Sequence, residues 1–72
     1  SLFMIHNAWG GAMGEAEDMR KTASVLEKIS GEIANIYKRK TRLSLDRITD
    51  MMDEETWLNA EEAYELGFIT KK

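Results

Sequence analysis

The sequence contains one histidine, His6, and its position suggests acid–base chemistry. An imidazole is the side chain best suited to take and give a proton near neutral pH. His6 directly follows the apolar run Leu2–Ile5 and precedes three closely spaced glycines, Gly10, Gly11 and Gly14. In α/β proteins, functional groups collect at the ends of buried strands. A lone histidine satisfied by a backbone carbonyl is the structural alternative, and the spacing leaves both interpretations open.

A second group of chemically capable residues is an acidic cluster made of Asp50, Asp53, Glu54 and Glu55. The cluster lies between two predicted helices rather than on a helical face, so one of its carboxylates could turn inward and orient the ring of His6. The alternative is a solvated turn, which the charge of the cluster by itself favours.

Composition excludes several classes of protein. The 72 residues carry 10 Lys and Arg against 13 Asp and Glu, a net charge of −3, which argues against a dedicated nucleic-acid binder. The absence of cysteine, together with a single histidine, excludes a disulfide framework and a zinc module. The longest apolar run, residues 2–5, is far shorter than the roughly 20 residues that span a bilayer. Since the chain does not begin with Met, we expect a piece of a longer protein.

One strand and one long helix must position these groups. Residues 2–6 are predicted to form a strand buried on both faces, as in a mostly parallel sheet, with its neighbours missing from this chain or supplied by another copy. Residues 15–41 are predicted to form an amphipathic helix of roughly 40 Å, too long for a domain of this size and therefore in need of a partner. Its apolar stripe includes Met19, Leu26, Ile29, Ile33 and Ile36.

Two shorter helices follow. Residues 44–51 are predicted to form a helix with Ser44 as its N-cap, burying Leu45 and Ile48.

The third helix has clearer signals at both ends. Asn59 and Glu62 form a capping-box pattern for a helix over residues 60–66, and Gly67 is placed to end it. Phe68–Thr70 are predicted to form a short terminal strand.

The order of these features resembles the C-terminal part of the Clp protease proteolytic subunit, most of all the ClpP-like peptidases of phages and prophages. Two runs carry the resemblance over essentially the whole chain: Met-Ile-His-x-x-x-Gly-Gly-x-x-Gly from Met4, and aromatic-Leu-x-Ala-x-Glu-Ala-x-x-x-Gly from Trp57. The resemblance implies an α/β, crotonase-like ClpP fold in the intact protein. Residues 1–72 would be the C-terminal part of that single domain, mostly α-helical in content. A hydratase branch of the same fold is disfavoured by the order of histidine and acid.

The resemblance implies an ATP-dependent-Clp-type serine endopeptidase with a Ser-His-Asp triad in that chain order. His6 falls on the catalytic base. Counting back without a gap from Trp57 places the triad acid at Glu55, where the family has Asp, with Asp53 as the alternate. Ala8 is a second departure, because the common family motif has Pro there. The nucleophilic serine is not in this chain, so the chain alone is expected to be inactive.

The resemblance also implies binding surfaces. The segment after the histidine corresponds to the family's extended segment beside the substrate, so Asn7, Trp9, Gly10 and Gly11 are predicted to bind substrate, with packing as the alternative for Trp9. The helix over 15–41 corresponds to the handle helix through which two rings of subunits stack, so its apolar stripe is the predicted oligomer interface.

The expected partners are therefore a peptide or unfolded protein substrate, further copies of the subunit in stacked rings, and in some settings an AAA+ ATPase. No metal, organic cofactor, nucleic acid or membrane is expected, and the expected location is cytoplasmic. The competing hypothesis from another class is a small helical oligomerisation or adaptor module, in which His6 and the acids are structural.

Overall fold

The computed structural model describes residues 2–70, which form two strands and three helices. The mostly helical content agrees with the sequence prediction for this part of the chain. In chain order the elements are β1 (Leu2–Ile5), α1 (Ala16–Lys40), α2 (Leu45–Asp53), β2 (Thr56–Asn59) and α3 (Ala60–Leu66).

β1 and β2 form a two-stranded antiparallel sheet whose register pairs Ile5 with Thr56. The prediction that the neighbours of β1 lie outside the chain is therefore wrong, since β2 is one of them. Burial on both faces is also wrong within this chain, because Ile5 and Leu58 are buried in the core whereas Leu2 is exposed. β2 gave no clear signal because it is four residues long and its last residue, Asn59, is also the N-cap of α3.

α1 agrees with the predicted helix to within one residue at each end. The backbone N–H of Glu15 donates to Asp18 Oδ2 at 2.9 Å, which satisfies a donor at the helix start. The C-terminal half packs on the domain through Ala34, which is buried, whereas every residue from 9 to 21 is exposed. The N-terminal half of α1 therefore overhangs the core. Within residues 2–70, no helix is long and apolar enough to cross a membrane.

The predicted apolar stripe of α1 is divided between two surfaces. Ile33 packs against the core and Leu26 is half-buried, so neither is part of a freely exposed face. Three members of the stripe remain about two-fifths exposed: Met19 (41%), in the overhanging part of the helix, and Ile29 (42%) and Ile36 (43%), on the side turned away from the core. The stripe covers more than one side of the helix, so the domain uses one side and leaves the other open.

α2 supplies much of the core. Ser44 Oγ accepts from the backbone N–H of Arg47 at 3.1 Å, which confirms the predicted N-cap, and the helix runs two residues beyond its predicted end. Ile48 and Met52 are fully buried. Leu45 is exposed, contrary to the prediction, because it occupies the first position of α2, outside the buried cluster.

α3 has the predicted bounds and both predicted end signals. Asn59 Oδ1 accepts from Glu62 N–H at 2.8 Å, and Glu62 Oε1 accepts from Asn59 N–H at 3.0 Å. Gly67, at φ 94°, ends the helix, and Phe68 N–H then donates to Ala63 O at 2.8 Å. The predicted terminal strand is wrong: the residues from Phe68 form the turn after α3, because the Phe68 ring is buried in the core.

Gly67→Ala is expected to destabilise the chain by about 2 kcal/mol, because a Cβ is disfavoured at positive φ and would also meet backbone. The added atom would lie 2.8 Å from the carbonyl oxygen of Lys40 and 3.2 Å from Thr41 Cα. Gly31→Ala is the control of opposite sign: no atom lies within 4 Å of its added Cβ, and it should gain about 1 kcal/mol inside a helix. Urea denaturation measures both, and a Gly67→Ala chain as stable as the parent would contradict this account.

Candidate functional site

His6 and the acidic turn meet at the same end of the sheet. Ile5 and Thr56 form the last pair of the antiparallel ladder. His6 directly follows Ile5, and Glu55 directly precedes Thr56. The pairing therefore brings the predicted base and the predicted acid to the same end of the sheet, although His6 and Glu55 are 49 residues apart in the sequence.

The half-buried ring of His6 is held by the backbone. Its Nδ1 lies 2.7 Å from the carbonyl oxygen of Asn7. Because a carbonyl oxygen can only accept, this hydrogen bond assigns the proton to Nδ1 and leaves the lone pair on Nε2 free. This is the contact that the structural alternative anticipated, and it selects the tautomer that a general base requires. Among residues 2–70, neither Asp53 nor Glu55 forms a hydrogen bond with the ring.

The backbone of Glu55 is strained in the turn between α2 and β2. Its φ is +54°, the left-handed region, where a residue with a Cβ costs about 1–2 kcal/mol. Hydrogen bonds on both sides impose this conformation: Glu55 N–H donates to Met52 O at 3.2 Å, and Thr56 Oγ1 donates to Met51 O at 2.7 Å. An exposed carboxylate is thus retained at a place where glycine would be more stable.

Asp53, the last residue of α2, contacts the neighbour of His6 rather than His6 itself. Asn7 Nδ2 donates to Asp53 Oδ1 at 2.7 Å, and the next residue, Ala8, donates its N–H to Ser30 Oγ on α1 at 3.0 Å. Sequence reasoning missed both contacts. No local pattern links positions 7 and 53, but Ser30, a polar residue within the apolar face of α1, was a signal that could have been used.

A cleft of about 400 Å³ opens between α1, α2 and the segment after His6. Asn7 lies at its edge, whereas the other predicted substrate-binding residues, Trp9, Gly10 and Gly11, are solvent-exposed and outside it. Trp9 is 82% exposed, so it has no packing role among residues 2–70. The cleft is lined by Asn7, Ala8, Leu26, Glu27, Ser30, Gly31, Ala34, Thr49, Met52 and Asp53.

These groups can take part in proton transfer: one imidazole with a free nitrogen, the carboxylates of Asp53 and Glu55, and an exposed backbone segment. Within the described part of the chain, no three His, Asp or Glu side chains converge in a way that could hold a metal ion. An imidazole fixed in one tautomer beside carboxylates is an arrangement found in enzymes that use general acid–base catalysis.

Comparison with known proteins identifies the family. The family model described as Clp protease matches residues 1–71. The chain therefore belongs to the Clp protease family.

Curated relatives agree with that assignment. Over 69 residues, 96% of this chain, the sequence is 36% identical to a Bacteroides fragilis protein named ATP-dependent Clp protease proteolytic subunit, of which it covers 33%. Proteins of the same name from Bacteroides thetaiotaomicron and Chlorella vulgaris are 35% and 30% identical over 69 residues, with 31% and 34% of each covered. The chain thus spans about a third of the length of the curated relatives it matches.

Glu55→Gly is expected to stabilise the chain by about 0.5–1 kcal/mol, because glycine adopts positive φ without the Cβ penalty. Glu54→Gly is the matched control: Glu54 has φ −83°, so glycine brings only extra freedom to the unfolded chain and should destabilise by about 0.4–1 kcal/mol. Thermal and urea unfolding measure both variants. Equal losses for the two would contradict the strain at Glu55.

Proposed function

We propose that the protein is a proteolytic subunit that hydrolyses peptide bonds as a serine endopeptidase. Its main support is membership of the Clp protease family over residues 1–71, together with an imidazole whose Nε2 is free to act as a base. The nucleophilic serine and the oxyanion-hole amides would come from the part of the subunit outside these 72 residues.

His6 would carry the proton transfers. Its Nε2 takes the proton from the serine hydroxyl as that oxygen attacks the substrate carbonyl, and then gives the proton to the leaving amine, producing an acyl-enzyme. During hydrolysis of the acyl-enzyme, Nε2 takes a proton from the water that attacks the acyl carbon. Nε2 then returns that proton to the serine oxygen as the acid product leaves. Each transfer needs the second ring nitrogen, Nδ1, to keep its own proton.

Glu55 is proposed as the acid that supports the imidazolium, and three features favour it over Asp53. It directly precedes Thr56, the residue paired with Ile5, and so lies at the same end of the sheet as His6. Asp53 has one carboxylate oxygen engaged with Asn7. A third feature is the backbone strain of Glu55 at positive φ, which is expected where a carboxylate is required at the end of the sheet near His6.

The exposed segment after Asn7 is proposed to bind an extended peptide. Trp9, Gly10 and Gly11 are exposed, and two adjacent glycines let another backbone approach closely. Main-chain pairing of this kind recognises peptides with little regard to their side chains. A peptide or unfolded protein is therefore the proposed substrate class.

The open side of α1 is proposed to join copies of the subunit. Ile29 and Ile36 are exposed on one side of the helix, and Val25 (54%) extends the same apolar surface; Met19 is exposed in the overhanging part. An apolar face of this kind on an overhanging helix is stabilised by covering it with a partner. The non-catalytic oligomerisation module would use the same surface, so assembly alone does not separate the two hypotheses.

The proposal also includes the other properties that the resemblance to the Clp protease family implies. They are stacked rings, an AAA+ ATPase partner, a phage or prophage type, a cytoplasmic location, and the absence of a metal or organic cofactor.

In the intact subunit that contains this chain, His6→Ala is expected to abolish peptidase activity and Glu55→Gln to lower kcat severely. Loss of the triad acid in a Ser-His-Asp enzyme costs on the order of 10⁴ in kcat, and Glu55→Gln removes the charge that would stabilise the imidazolium. Glu54→Gln, the neighbouring exposed acid, should change kcat/KM little. The assay is hydrolysis of a fluorogenic peptide, with circular dichroism to verify folding. An active His6→Ala subunit would exclude the mechanism and favour the oligomerisation module.

The double variant Ile29→Asp/Ile36→Asp is expected to convert assembled subunits to smaller species, because it would bury unpaired charges in the contact. Ser24→Asp/Asn35→Asp is the control, since it adds the same charge at exposed polar positions of α1. Sedimentation velocity over a dilution series measures the assembly. Unchanged assembly in the Ile29/Ile36 variant would contradict this interface.

A further inference from the structure

The peptide group between Asn7 and Ala8 makes a hydrogen bond at each of its ends. Its carbonyl oxygen accepts from His6 Nδ1 at 2.7 Å, and its N–H donates to Ser30 Oγ at 3.0 Å. No peptide bond within the described residues is cis, so this group is planar and trans, and its C=O and N–H point in opposite directions. The partner of the N–H therefore determines where the carbonyl oxygen points.

We propose that Ser30 is a positioning residue for His6. By accepting from Ala8 N–H, its hydroxyl orients the Asn7 carbonyl, which in turn keeps the proton on Nδ1 and leaves Nε2 free as a base. The inference rests on the proposed peptidase function, and it links α1 to the proton-transfer group through a single peptide plane.

The place of Ser30 in α1 suits this role. It is half-buried, one turn before Ile33, which packs against the core, and Ala34, which is buried in it. The hydroxyl is therefore carried by the part of α1 that is fixed to the domain rather than by the overhanging part. A hydroxyl on a well-packed helix is a more rigid acceptor than one on an exposed loop.

Asp53 is a second anchor of the same segment, through the side chain of Asn7 rather than through the peptide group. Its Oδ1 accepts from Asn7 Nδ2 at 2.7 Å, a hydrogen bond strengthened by the charge of the carboxylate. The segment after His6 is thus held from α1 by Ser30 and from α2 by Asp53. Asp53 then acts through Asn7, and Glu55 is left as the acid that acts on the imidazole.

The two candidate roles of Asp53 have different requirements. A triad acid must be charged, because it stabilises an imidazolium. An anchor for Asn7 needs only an acceptor oxygen, which the amide of asparagine also provides. Asp53→Asn is therefore expected to keep kcat within about threefold of the parent, whereas Asp53→Ala should lower it by about tenfold, as expected for a small displacement of a catalytic group.

For Ser30, the main test is kcat and KM of the intact subunit on a fluorogenic peptide. Ser30→Ala is expected to lower kcat by about tenfold and to change KM by less than about twofold, because the base is displaced while the peptide-binding segment remains. Ser30→Thr retains a hydroxyl and should restore most of kcat. Ser24→Ala, at an exposed serine of the same helix, is the control and should match the parent.

A second measurement reports on the imidazole without any need for activity. Long-range ¹H–¹⁵N NMR of the 72-residue chain, in alkaline buffer, is expected to show the Nδ1–H tautomer of His6 in the parent and in Ser24→Ala. In Ser30→Ala it should shift toward the tautomer mixture of a free imidazole. Ala8→Pro removes the same N–H from the other side, so adding Ser30→Ala to it should change the spectrum no further.

The outcomes separate this inference from the proposed function. If Ser30→Ala matches Ser24→Ala in kcat and in tautomer, or if kcat falls with the tautomer unchanged, Ser30 does not position His6. If Asp53→Asn is as inactive as Asp53→Ala, Asp53 acts by its charge and its assignment as an anchor is wrong. If His6→Ala stays active while the tautomer still responds to Ser30, the peptidase function fails and the positioning contact survives.

Discussion

The antiparallel pairing of β1 with β2 is the constraint on which the rest of the structure depends. In the observed register, Ile5 and Leu58 lie on the core side of the sheet and are buried. A slip of either strand by one residue would turn its own core-facing side chain, Ile5 or Leu58, toward solvent, so the hydrophobic effect specifies the register strongly. The same register brings His6 to the turn that contains Glu55. Burial of two apolar side chains thereby determines the geometry of the candidate site, although neither side chain takes part in its chemistry.

α1 packs on the domain along one side and leaves apolar side chains exposed on the other. Its C-terminal half is held by the small residue Ala34, which allows close approach, and by Tyr37, whose ring meets Phe68 edge to face at a centroid distance of 5.0 Å. Most of the N-terminal half extends beyond the core and leaves apolar side chains in water. A domain of this size cannot cover a 25-residue helix by itself. An uncovered apolar face is the physical reason that we associate α1 with assembly.

The candidate site contains a backbone conformation that lowers the stability of the fold. Glu55 is held at positive φ by hydrogen bonds in the turn after α2, although glycine would be more stable there. The segment after His6 is held from both helices: Ser30 on α1 accepts from the backbone N–H of Ala8, and Asp53 on α2 accepts from the side-chain amide of Asn7. Strain and polar anchoring of this kind are expected where a few side chains must be placed accurately. The two acids differ in their surroundings: Asp53 is hydrogen-bonded to Asn7, whereas Glu55 is exposed in the turn after α2.

Features that depend on local interactions could be predicted from the sequence. The ends of α3 followed from Asn59, Glu62 and Gly67, because capping and positive φ involve residues only a few positions apart. The family, the position of His6 and the length of α1 were likewise readable from motifs and periodicity. The tertiary structure alone decided the strand partner of β1, the side of α1 that is buried, and the contacts of Asn7 and Ala8 with Asp53 and Ser30. These depend on residues 22 to 57 positions apart, whose meeting is determined by packing of the whole chain, and no local pattern in the sequence encodes it.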